Sequence, residues 1–275
     1  MKPDQCPITG ETRARKVFAY DKPPIGETYF GYSVGNYHRE VWQFQPTGHY
    51  VSVHAMGPQI EYSGEYVTST YSDIDGIRRS FSQVRNLPAE GSDNSGRLQY
   101  LTEAQRRFGL SVGRVRLLDV GSGIGIFPYS LKDIGWDCLA LDPDPKAIEH
   151  MRQDLGLNAV CAGLESGLDI GQFHAVTMNK VLEHVVNPIA LLSLVHEYLS
   201  PGGLAYVEVP DGQAAEMEGP EREEFYVDHL HVFSDRSLEG LIKRSGLDLL
   251  AIEQLQEPSS KFTLRGLCRR PDSNS

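Results

Sequence analysis

Residues 117–125, which read LLDVGSGIG, decide the fold class of this sequence. An apolar strand ends in this stretch, and three glycines alternate after it at Gly121, Gly123 and Gly125. Glycine lets the backbone turn sharply and approach a ligand without a Cβ collision. We expect a helix directly after the turn, so that free backbone N–H groups and a positive helix end face the ligand. The stretch therefore predicts a strand-to-helix junction that suits a carboxylate.

A dinucleotide-binding turn has the related spacing G-x-G-x-x-G. Counting from Gly121 puts Ile126 where the third glycine of that fingerprint belongs. This spacing disfavours an NAD-dependent oxidoreductase. The turn alone does not identify its ligand, because tight turns without ligands use the same residues.

From residue 114 onward, short apolar segments alternate with amphipathic ones, as is typical of βαβ units with a parallel sheet. The predicted strands are 115–120, 137–141, 159–161, 174–178, 204–209, 247–252 and 262–268. The predicted helices are 126–134, 145–155, 188–199 and 234–245. The pattern predicts an α/β fold with a seven-stranded, doubly wound, Rossmann-like sheet.

The first part of the chain, residues 1–90, has a different character and holds eight of the thirteen tyrosines. It lacks helical periodicity, and short stretches such as 50–53 and 61–67 predict strands. We predict a small β-rich or irregular module over 1–90 and the α/β domain over 91–275. A polar connection at 86–96 joins them, with Ser95 as N-cap of a helix over 96–108.

The second strand of the α/β domain leads to Asp142. Open α/β folds place a carboxylate there that accepts hydrogen bonds from two ribose hydroxyls. An aspartate in this place also serves as the N-cap of the following helix. After the glycine turn, ribose binding is the favoured interpretation.

Four motifs in order, DVGSGIG, ALDPDP, NKVLEHVVNP and LSPGG, resemble those of class I S-adenosylmethionine-dependent methyltransferases. The resemblance covers roughly residues 95–255. Within that family, the chain resembles the small-molecule methyltransferases of sugar modification and of the ubiquinone pathway. It implies S-adenosylmethionine as cofactor. The cofactor-binding residues that it implies are Asp119, Gly121, Ser122, Gly123, Gly125 and Asn179 around the methionine part, Asp142 at the ribose, and Pro143 and Leu164 at the adenine.

The acceptor contacts of that family follow strands four and five, in an insertion that here spans 209–235. Its densest set of proton-handling groups is Tyr226, Asp228, His229 and His231. The phrase DHLHVFS resembles the HLxxFS segment of sugar-modifying and ubiquinone-pathway methyltransferases, whose first histidine lies by the acceptor. We predict His229 as the general base, with Tyr226 and His231 as further catalytic candidates.

His229 and His231 alternate, so on a strand both face one side and also fit metal ligands. No Cys or carboxylate pairing accompanies them, and Cys6 lacks the partner cysteines of a zinc module, so we expect no metal. Glu183 and His184, in the LEH piece, leave two alternatives open. They either line the active site or begin a helix.

The net charge of −11 and the absence of a Lys/Arg cluster argue against a nucleic-acid partner. No apolar run has the length of a signal peptide or a membrane span, so we expect a cytoplasmic protein with no membrane partner. The four widely spaced cysteines predict buried free thiols. The sequence leaves the oligomeric state open, including a homodimer.

The expected function is methyl transfer from S-adenosylmethionine to a hydroxyl of a small-molecule acceptor, with sugars and sugar nucleotides among the candidates. The N-terminal module is expected to cap the acceptor site. C- or N-methylation of a small molecule is an alternative. A second alternative is a partner subunit that binds the cofactor without turnover, because these motifs indicate binding better than catalysis.

Overall fold

The structure, a computed structural model, describes residues 2–30, 37–56, 73–110 and 114–271. The N-terminal part contains three antiparallel strands, β1 (Ala14–Tyr20), β2 (Arg39–Phe44) and β3 (Tyr50–His54). Strand β3 confirms the strand predicted at 50–53. The strand predicted at 61–67 lies outside the described residues.

A helix, α1 (Ile74–Arg85), follows the small strands. The prediction that residues 1–90 lack helical periodicity is wrong here, because Ile77 and Phe81 are four residues apart and both are buried. The carboxylate of Asp73 caps the helix by accepting a hydrogen bond from the Gly76 N–H at 2.7 Å. The apolar spacing and the capping aspartate are both visible in the sequence. They lie in a segment whose aromatic and glycine content favours strands.

The next helix, α2 (Asp93–Phe108), begins earlier than the sequence predicts. The assignment of Ser95 as its N-cap is wrong. Ser92 is the N-cap, and its Oγ accepts a hydrogen bond from the Ser95 N–H at 3.3 Å. Both positions carry a residue type that caps helices well, so composition alone does not choose between them.

The rest of the chain alternates strands and helices as predicted, with one helix and one short strand in the insertion that the sequence did not predict. Its strands are β4 (Arg116–Val120), β5 (Asp137–Asp142), β6 (Asn158–Cys161), β7 (Phe173–Asn179), β8 (Leu199–Pro210), β9 (His231–Val232), β10 (Asp248–Gln256) and β11 (Phe262–Arg269). Its helices are α3 (Ile126–Asp133), α4 (Pro145–Gln153), α5 (Pro188–Ser193), α6 (Val195–Tyr198), α7 (Gly212–Glu218) and α8 (Asp235–Arg244). The single helix predicted over 188–199 is therefore two short helices, and β8 begins at Leu199.

Seven strands form one sheet in the order β10-β11-β8-β7-β4-β5-β6. Neighbouring strands from β8 to β6 are parallel, whereas β11 runs antiparallel to both β8 and β10. The chain runs outward from β4 to β6 and then returns to β7, which lies on the other side of β4. Ligands of open α/β sheets bind at the carboxyl ends of strands where the order reverses in this way. The predicted seven-stranded fold is confirmed.

Helices cover both faces of this sheet. Successive side chains of β4 point to opposite faces, so Leu117 and Leu118 enter different cores. Leu117 shares a buried cluster with Leu131 of α3, and Leu118 shares another with Leu238 of α8. The strand that carries the glycine turn is thus held from both sides.

The N-terminal strands are tied to the insertion that follows β8. Strand β9 pairs antiparallel with β3 and completes a four-stranded sheet in the order β1-β2-β3-β9. The Val227 N–H donates to Glu27 Oε2 at 2.8 Å, and the Tyr226 hydroxyl donates to the Ile25 carbonyl at 2.8 Å. The N-terminal segment therefore contacts the part of the chain that carries His229. The division into domains at residue 90 stays a prediction.

The thiols mostly follow the expectation from composition. Cys6, Cys138 and Cys268 are buried and free, whereas Cys161 is free but exposed, so the expectation of a buried thiol is wrong for that residue. Strand β6, which carries Cys161, lies at the edge of the central sheet. Among the described helices, none has both the length and the apolar character that crossing a membrane requires.

Candidate active site

The glycine turn joins β4 to α3 and is fastened to the neighbouring strand β5. The Gly121 N–H donates to the Leu141 carbonyl at 2.8 Å, and the Gly123 N–H donates to Asp142 Oδ2 at 2.8 Å. The φ angles of Gly121, Gly123 and Gly125 are +70°, +53° and +76°, in the left-handed region that favours glycine. The backbone path by itself therefore requires the three glycines that the sequence singles out.

A Cβ at each of these glycines would meet different surroundings. At Gly121 it would lie 2.6 Å from Cγ2 of Val181, and at Gly125 it would lie 2.7 Å from Cγ of Met151 in α4. At Gly123 no heavy atom of the described residues lies within 4 Å. Gly121 and Gly125 thus allow close packing, whereas Gly123 faces open space.

Asp119, near the carboxyl end of β4, is hydrogen-bonded to two residues of the neighbouring strand β7. Its Oδ1 accepts hydrogen bonds from Thr177 Oγ1 at 2.6 Å and from Asn179 Nδ2 at 3.2 Å. Burial raises the pKa of Asp119 to about 6, against the hydrogen bond from Thr177, which lowers it. Because a carboxylate only accepts, the Asn179 amide must turn its Oδ1 the other way. That oxygen is buried and has no hydrogen-bond partner in the described part of the chain.

The sequence leaves two roles open for Asp142 at the end of β5, ribose binding and capping of the next helix, and the structure gives the capping role to Asp144. Asp144 is the N-cap of α4, since its Oδ1 accepts from the Lys146 N–H at 2.7 Å. Asp142 instead accepts from the N–H groups of Gly123 and Asp144. Burial raises the pKa of Asp142 to about 6, against these two backbone hydrogen bonds. The helix-cap interpretation of Asp142 is therefore wrong.

A cavity of about 420 Å³ opens beside the glycine turn, within the range of roughly 300–1,000 Å³ typical of small-molecule sites. Residues from the turn, from the end of β7, from the insertion and from the N-terminal segment meet in it. Its lining comprises Gly26, Thr28, Arg97, Asp119, Gly121, Ser122, Gly123, Ile126, Phe127, Asn179, Lys180, Glu183, His184, Pro210, Glu223, Glu224, Tyr226, Asp228, His229, Lys261 and Phe262.

The cavity brings together most of the residues that the sequence singles out. Those that line it are Asp119, Gly121, Ser122, Gly123, Asn179, Tyr226 and His229. Those outside the lining are Gly125, Asp142, Pro143, Leu164 and His231. Asp142 lies one hydrogen bond behind Gly123, whereas Leu164 is buried in a core cluster. Contact of Pro143 and Leu164 with adenine stays a prediction.

His229 has a defined tautomer because of its backbone partner. Its Nδ1 lies 2.8 Å from the Glu224 carbonyl oxygen. A carbonyl only accepts, so in the neutral ring Nδ1 carries the proton and Nε2 carries the lone pair. Tyr226 nearby donates its hydroxyl to the Ile25 carbonyl, and burial raises the pKa of this phenol. His229 is thus the better proton acceptor of the two.

His231 lies elsewhere, and the expectation that His229 and His231 share one face of a strand is wrong. Strand β9 begins at His231, whereas His229 precedes it in an irregular segment. The His231 ring is buried, with Nδ1 at 3.1 Å from Nε2 of His49. Burial lowers the pKa of His231 to about 4. This histidine lies in the small sheet, on the strand that the insertion contributes, and it does not line the cavity.

Three cations in the cavity lining were missed by sequence reasoning, Arg97, Lys180 and Lys261. The Arg97 Nε donates to Glu208 Oε2 at 2.6 Å, and the Lys180 Nζ donates to Thr263 Oγ1 at 2.7 Å. Lys180 directly follows Asn179 at the end of β7, which was an available signal. Arg97 had no local signal, because the packing of α2 against the sheet brings it to the site.

Glu183 and His184 line the cavity, and no helix begins at them among the residues described here. Helix α5 starts later, at Pro188, and Asn187 is its N-cap. Of the two alternatives left open by the sequence, the structure therefore supports a place in the cavity wall. Neither oxygen of the Glu183 carboxylate has a hydrogen-bond partner among the described residues.

Comparison with known proteins gives the family. The family model described as "Methyltransferase domain" matches residues 80–252. The ubiquinone biosynthesis O-methyltransferase, mitochondrial, of Schizosaccharomyces pombe is 30% identical over 173 residues, which is 60% of this chain and 58% of the relative. The ubiquinone biosynthesis O-methyltransferase of Parvibaculum lavamentivorans is 29% identical over 127 residues, which is 42% and 50% of the two chains. The matched part of the chain thus spans between half and three fifths of the length of these curated relatives.

Solved structures share the fold at low identity. The 1,6-didemethyltoxoflavin-N1-methyltransferase of Burkholderia thailandensis, solved with S-adenosylhomocysteine, has a TM-score of 0.54 and 17% identity, over 90% of this chain and 100% of the other. The [4+2]-cyclase SpnF has a TM-score of 0.57 and 14% identity, over 78% and 98%. At these identities the likeness concerns the fold alone.

S-adenosylmethionine fits the residues present beside the glycine turn. The open space at Gly123 leaves room for a ligand against the backbone, and the unpartnered Asn179 Oδ1 offers an acceptor to an ammonium group. The family match and the fold confirm the cofactor and the enzyme class that the motifs imply. The chain belongs to the methyltransferase-domain family of S-adenosylmethionine-dependent enzymes.

Proposed function

We propose that this methyltransferase acts on a hydroxyl oxygen of a small metabolite bound in the cavity. The observation that carries the proposal is that predicted cofactor-binding residues and the predicted base line the same cavity. The glycine turn with Asn179 forms one wall, and His229, whose Nε2 has the lone pair, stands in the other. The printed names of the two sequence relatives, both O-methyltransferases, support oxygen as the acceptor atom.

The cofactor would be held by groups that complement its charges and its hydrogen-bonding groups. Asn179 Oδ1 suits the ammonium group of the methionine part. Arg97 and the open backbone at Gly123 suit its carboxylate. The buried carboxylate of Asp142 suits the ribose hydroxyls. When bound, S-adenosylmethionine supplies a sulfonium methyl group, so the protein mainly aligns the acceptor and excludes water.

The acceptor hydroxyl must lose its proton during the transfer. The acceptor oxygen would take the methyl group that the cofactor supplies, so the chain itself has to accept only the hydroxyl proton. The proton passes to Nε2 of His229, whose Nδ1–H is held by the Glu224 carbonyl. Tyr226 is then a positioning residue, because its hydroxyl already donates a hydrogen bond to the Ile25 carbonyl.

The acceptor side of the cavity combines aromatic and charged groups. Gly26 and Thr28 of the N-terminal segment line it together with Lys261 and Phe262. These contacts support the N-terminal module as a cap over the acceptor. They suit a phenol with further polar substituents, and a sugar or sugar nucleotide is the second acceptor class that we propose to test.

The first test measures cofactor binding. Calorimetry should detect binding of S-adenosylmethionine by the wild-type chain, with at least about tenfold weaker binding by Asp142→Ala. Asp169→Ala, an exposed aspartate outside the cavity lining, is the matched control. Absence of binding by the wild-type chain would exclude the proposal.

The second test identifies the acceptor atom. S-adenosylmethionine with an isotopically labelled methyl group is incubated with separate panels of catechols, sugar nucleotides and amines, and products are analysed by mass spectrometry. Label on oxygen of a catechol or sugar supports the proposal, whereas label on nitrogen or carbon replaces it with the alternatives. Cofactor binding without any product would favour a partner subunit or another activity.

Two further predictions from the sequence remain to be tested with the full protein. The Schizosaccharomyces pombe relative is named mitochondrial, so the cytoplasmic location of this chain stays a prediction. Fractionation of cells that express the tagged chain would test it. The alternative of a homodimer is tested by light scattering of the purified protein.

A further inference from the structure

Glu208 is a buried carboxylate behind the cavity wall. It lies near the carboxyl end of β8, its exposure is 0%, and it is absent from the cavity lining. Burial by itself raises the pKa of this carboxyl, but the positive charges of Arg97 and Lys180 hold it below its ordinary value. Glu208 is therefore an interior anion, which is stable only when hydrogen-bonded cations surround it.

Side chains from three elements donate hydrogen bonds to this carboxylate. Arg97 Nε of α2 donates to Oε2 at 2.6 Å, and Arg265 Nε of β11 donates to Oε1 at 3.2 Å. The Tyr206 hydroxyl, from β8 itself, also donates to Oε1. Glu208 thus ties the helix that precedes β4 to the central sheet beside the cavity.

The Arg97 guanidinium uses only one of its nitrogens in this contact. Its Nε is bonded to Glu208, whereas Nη1 and Nη2 have no hydrogen-bond partner in the part of the chain that the structure describes. The group is planar, and its N–H donors form a rigid fork. With Nε fixed, the edge formed by Nη1 and Nη2 is left for another partner. Because Arg97 lines the cavity, this edge can bind an anion there.

A glycine next to Arg97 allows the helix to approach this network closely. A Cβ at Gly96 would lie 3.2 Å from Arg265 Nη2. Nη2 in turn donates to both carboxylate oxygens of Glu257, at 3.1 and 3.2 Å. Glycine inside a helix destabilises it relative to alanine, so its presence here indicates that α2 must come close to Arg265. Arg97 and Glu208 are therefore held at a fixed separation by contacts on both sides.

The backbone of Glu208 supports a second residue of the cavity lining, Lys180. The Lys180 N–H donates to the Glu208 carbonyl oxygen at 3.0 Å, and the Lys180 φ angle is +59°, in the left-handed region. Such a conformation is strained for a residue with a side chain and persists only where the surroundings impose it. Lys180 directly follows Asn179. Glu208 thus bonds to Arg97 and to the neighbour of Asn179, the two side chains proposed for the charged groups of the methionine part.

We propose that Glu208 is a positioning residue that holds the free edge of the Arg97 guanidinium towards the carboxylate of the bound cofactor. The inference rests on the proposed function, which places that carboxylate at Arg97. Two parallel N–H···O bonds to a carboxylate need a guanidinium of fixed orientation. Glu208 does not line the cavity, so its side chain acts on the cofactor only through Arg97.

Calorimetry of the full chain with two ligands tests the inference. One ligand is S-adenosylhomocysteine, and the other is its decarboxylated analogue, which keeps the amine and the adenosine. The wild-type chain should bind S-adenosylhomocysteine at least about tenfold more tightly than the analogue. Glu208→Gln keeps the size of the side chain and removes its charge. It should lower the affinity for S-adenosylhomocysteine about tenfold and leave that for the analogue within about threefold.

Asp211→Asn is the matched control, because Asp211 is also a buried carboxylate at the end of β8 and is absent from the cavity lining. It should keep the wild-type preference between the two ligands. Equal losses for both ligands in Glu208→Gln, or a preference that Glu208→Gln retains, would overturn only the role of Glu208. Equal binding of both ligands by the wild-type chain would overturn the placement of the carboxylate and this inference with it. No acceptor is present, so failure of methyl transfer to oxygen leaves the result intact.

Two further variants keep the test decisive if Glu208→Gln does not fold. Tyr206→Phe removes one hydrogen bond to Glu208 and leaves its charge, so it should reduce the preference for S-adenosylhomocysteine at least about threefold. An unchanged preference would contradict the inference. In an Arg97→Ala background, Glu208→Gln should change the affinity for S-adenosylhomocysteine less than about twofold, because its only route to the ligand is already removed. A further tenfold loss there would show that Glu208 acts without Arg97.

Discussion

Gly121 packs so closely against Val181 that a Cβ on the glycine would lie 2.6 Å from Cγ2 of the valine. The two residues connect the turn after β4 with the loop after β7. We expect Gly121→Ala to lower the free energy of unfolding by about 2–4 kcal/mol, from left-handed strain and overpacking together. Urea denaturation measures this loss. Val181→Ala in the Gly121→Ala background should recover part of it, and additive losses in the double variant would contradict the contact.

Gly123 provides the contrasting case, since its φ is +53° and nothing described lies within 4 Å of its Cβ position. Gly123→Ala should cost only about 1–2 kcal/mol of stability, the strain of the left-handed backbone. Its methyl group enters the space proposed for the cofactor, so affinity for S-adenosylhomocysteine should fall more than tenfold. Calorimetry checks the affinity, and binding equal to wild type would remove Gly123 from the cofactor site.

The pKa of Asp142 predicts how cofactor binding depends on pH. Burial raises this pKa to about 6, so the carboxylate form that accepts ribose hydroxyls is present above pH 6 and is lost below it. Affinity for S-adenosylhomocysteine should therefore fall about tenfold between pH 7.5 and pH 5. Asp142→Asn should bind more weakly at pH 7.5 and show a flatter profile. The remaining slope reports Asp119, whose pKa burial also raises to about 6.

Asp169→Asn serves as the control for that pH series, because this aspartate is exposed and outside the cavity lining. Its pH profile should overlay that of the wild-type chain. A slope in Asp142→Asn as steep as in the wild type would assign the pH dependence to other groups.

Substitutions of His229 and Tyr226 should change different kinetic constants. His229→Gln removes the imidazole lone pair at the acceptor, so kcat should fall by about 10²–10⁴, with cofactor affinity unchanged. Tyr226→Phe removes only the hydroxyl that donates to the Ile25 carbonyl, which holds the N-terminal segment. It should raise the KM for the acceptor and leave kcat within about threefold. Equal kcat losses in both variants would contradict this division of roles.

The N-cap of α2 gives a test that is independent of catalysis. Ser92→Ala should lower the free energy of unfolding by about 1 kcal/mol, because the Oγ of Ser92 accepts the Ser95 N–H at the helix start. Ser95→Ala, in the first turn of the same helix, should cost less than about 0.5 kcal/mol. Urea denaturation of the two variants compares them directly, and a larger loss in Ser95→Ala would restore the assignment made from sequence.

Much of the fold followed from local pattern. The glycine turn, the alternation of strands and helices and the acid at the end of β5 lie within stretches of a few residues each. The spacing of apolar residues in these stretches reflects which face of a helix or strand is buried. Helix α1 was missed although Ile77 and Phe81 have helical spacing, because the composition around them favoured strands. The limits of β8 and α2 were misjudged because competing caps and turns differ little in energy locally.

The sequence by itself determined the fold class and predicted the place of the cofactor, since the glycine turn and Asp142 follow one another along a single βαβ unit. Only the tertiary structure decided which side chains meet in the cavity. It turned His231 towards His49 and brought Arg97, Glu183 and His184 to the cavity beside His229. The physical reason is that these contacts join segments far apart in the chain, whose approach depends on packing of α2, the insertion and the small sheet. No local spacing records that packing.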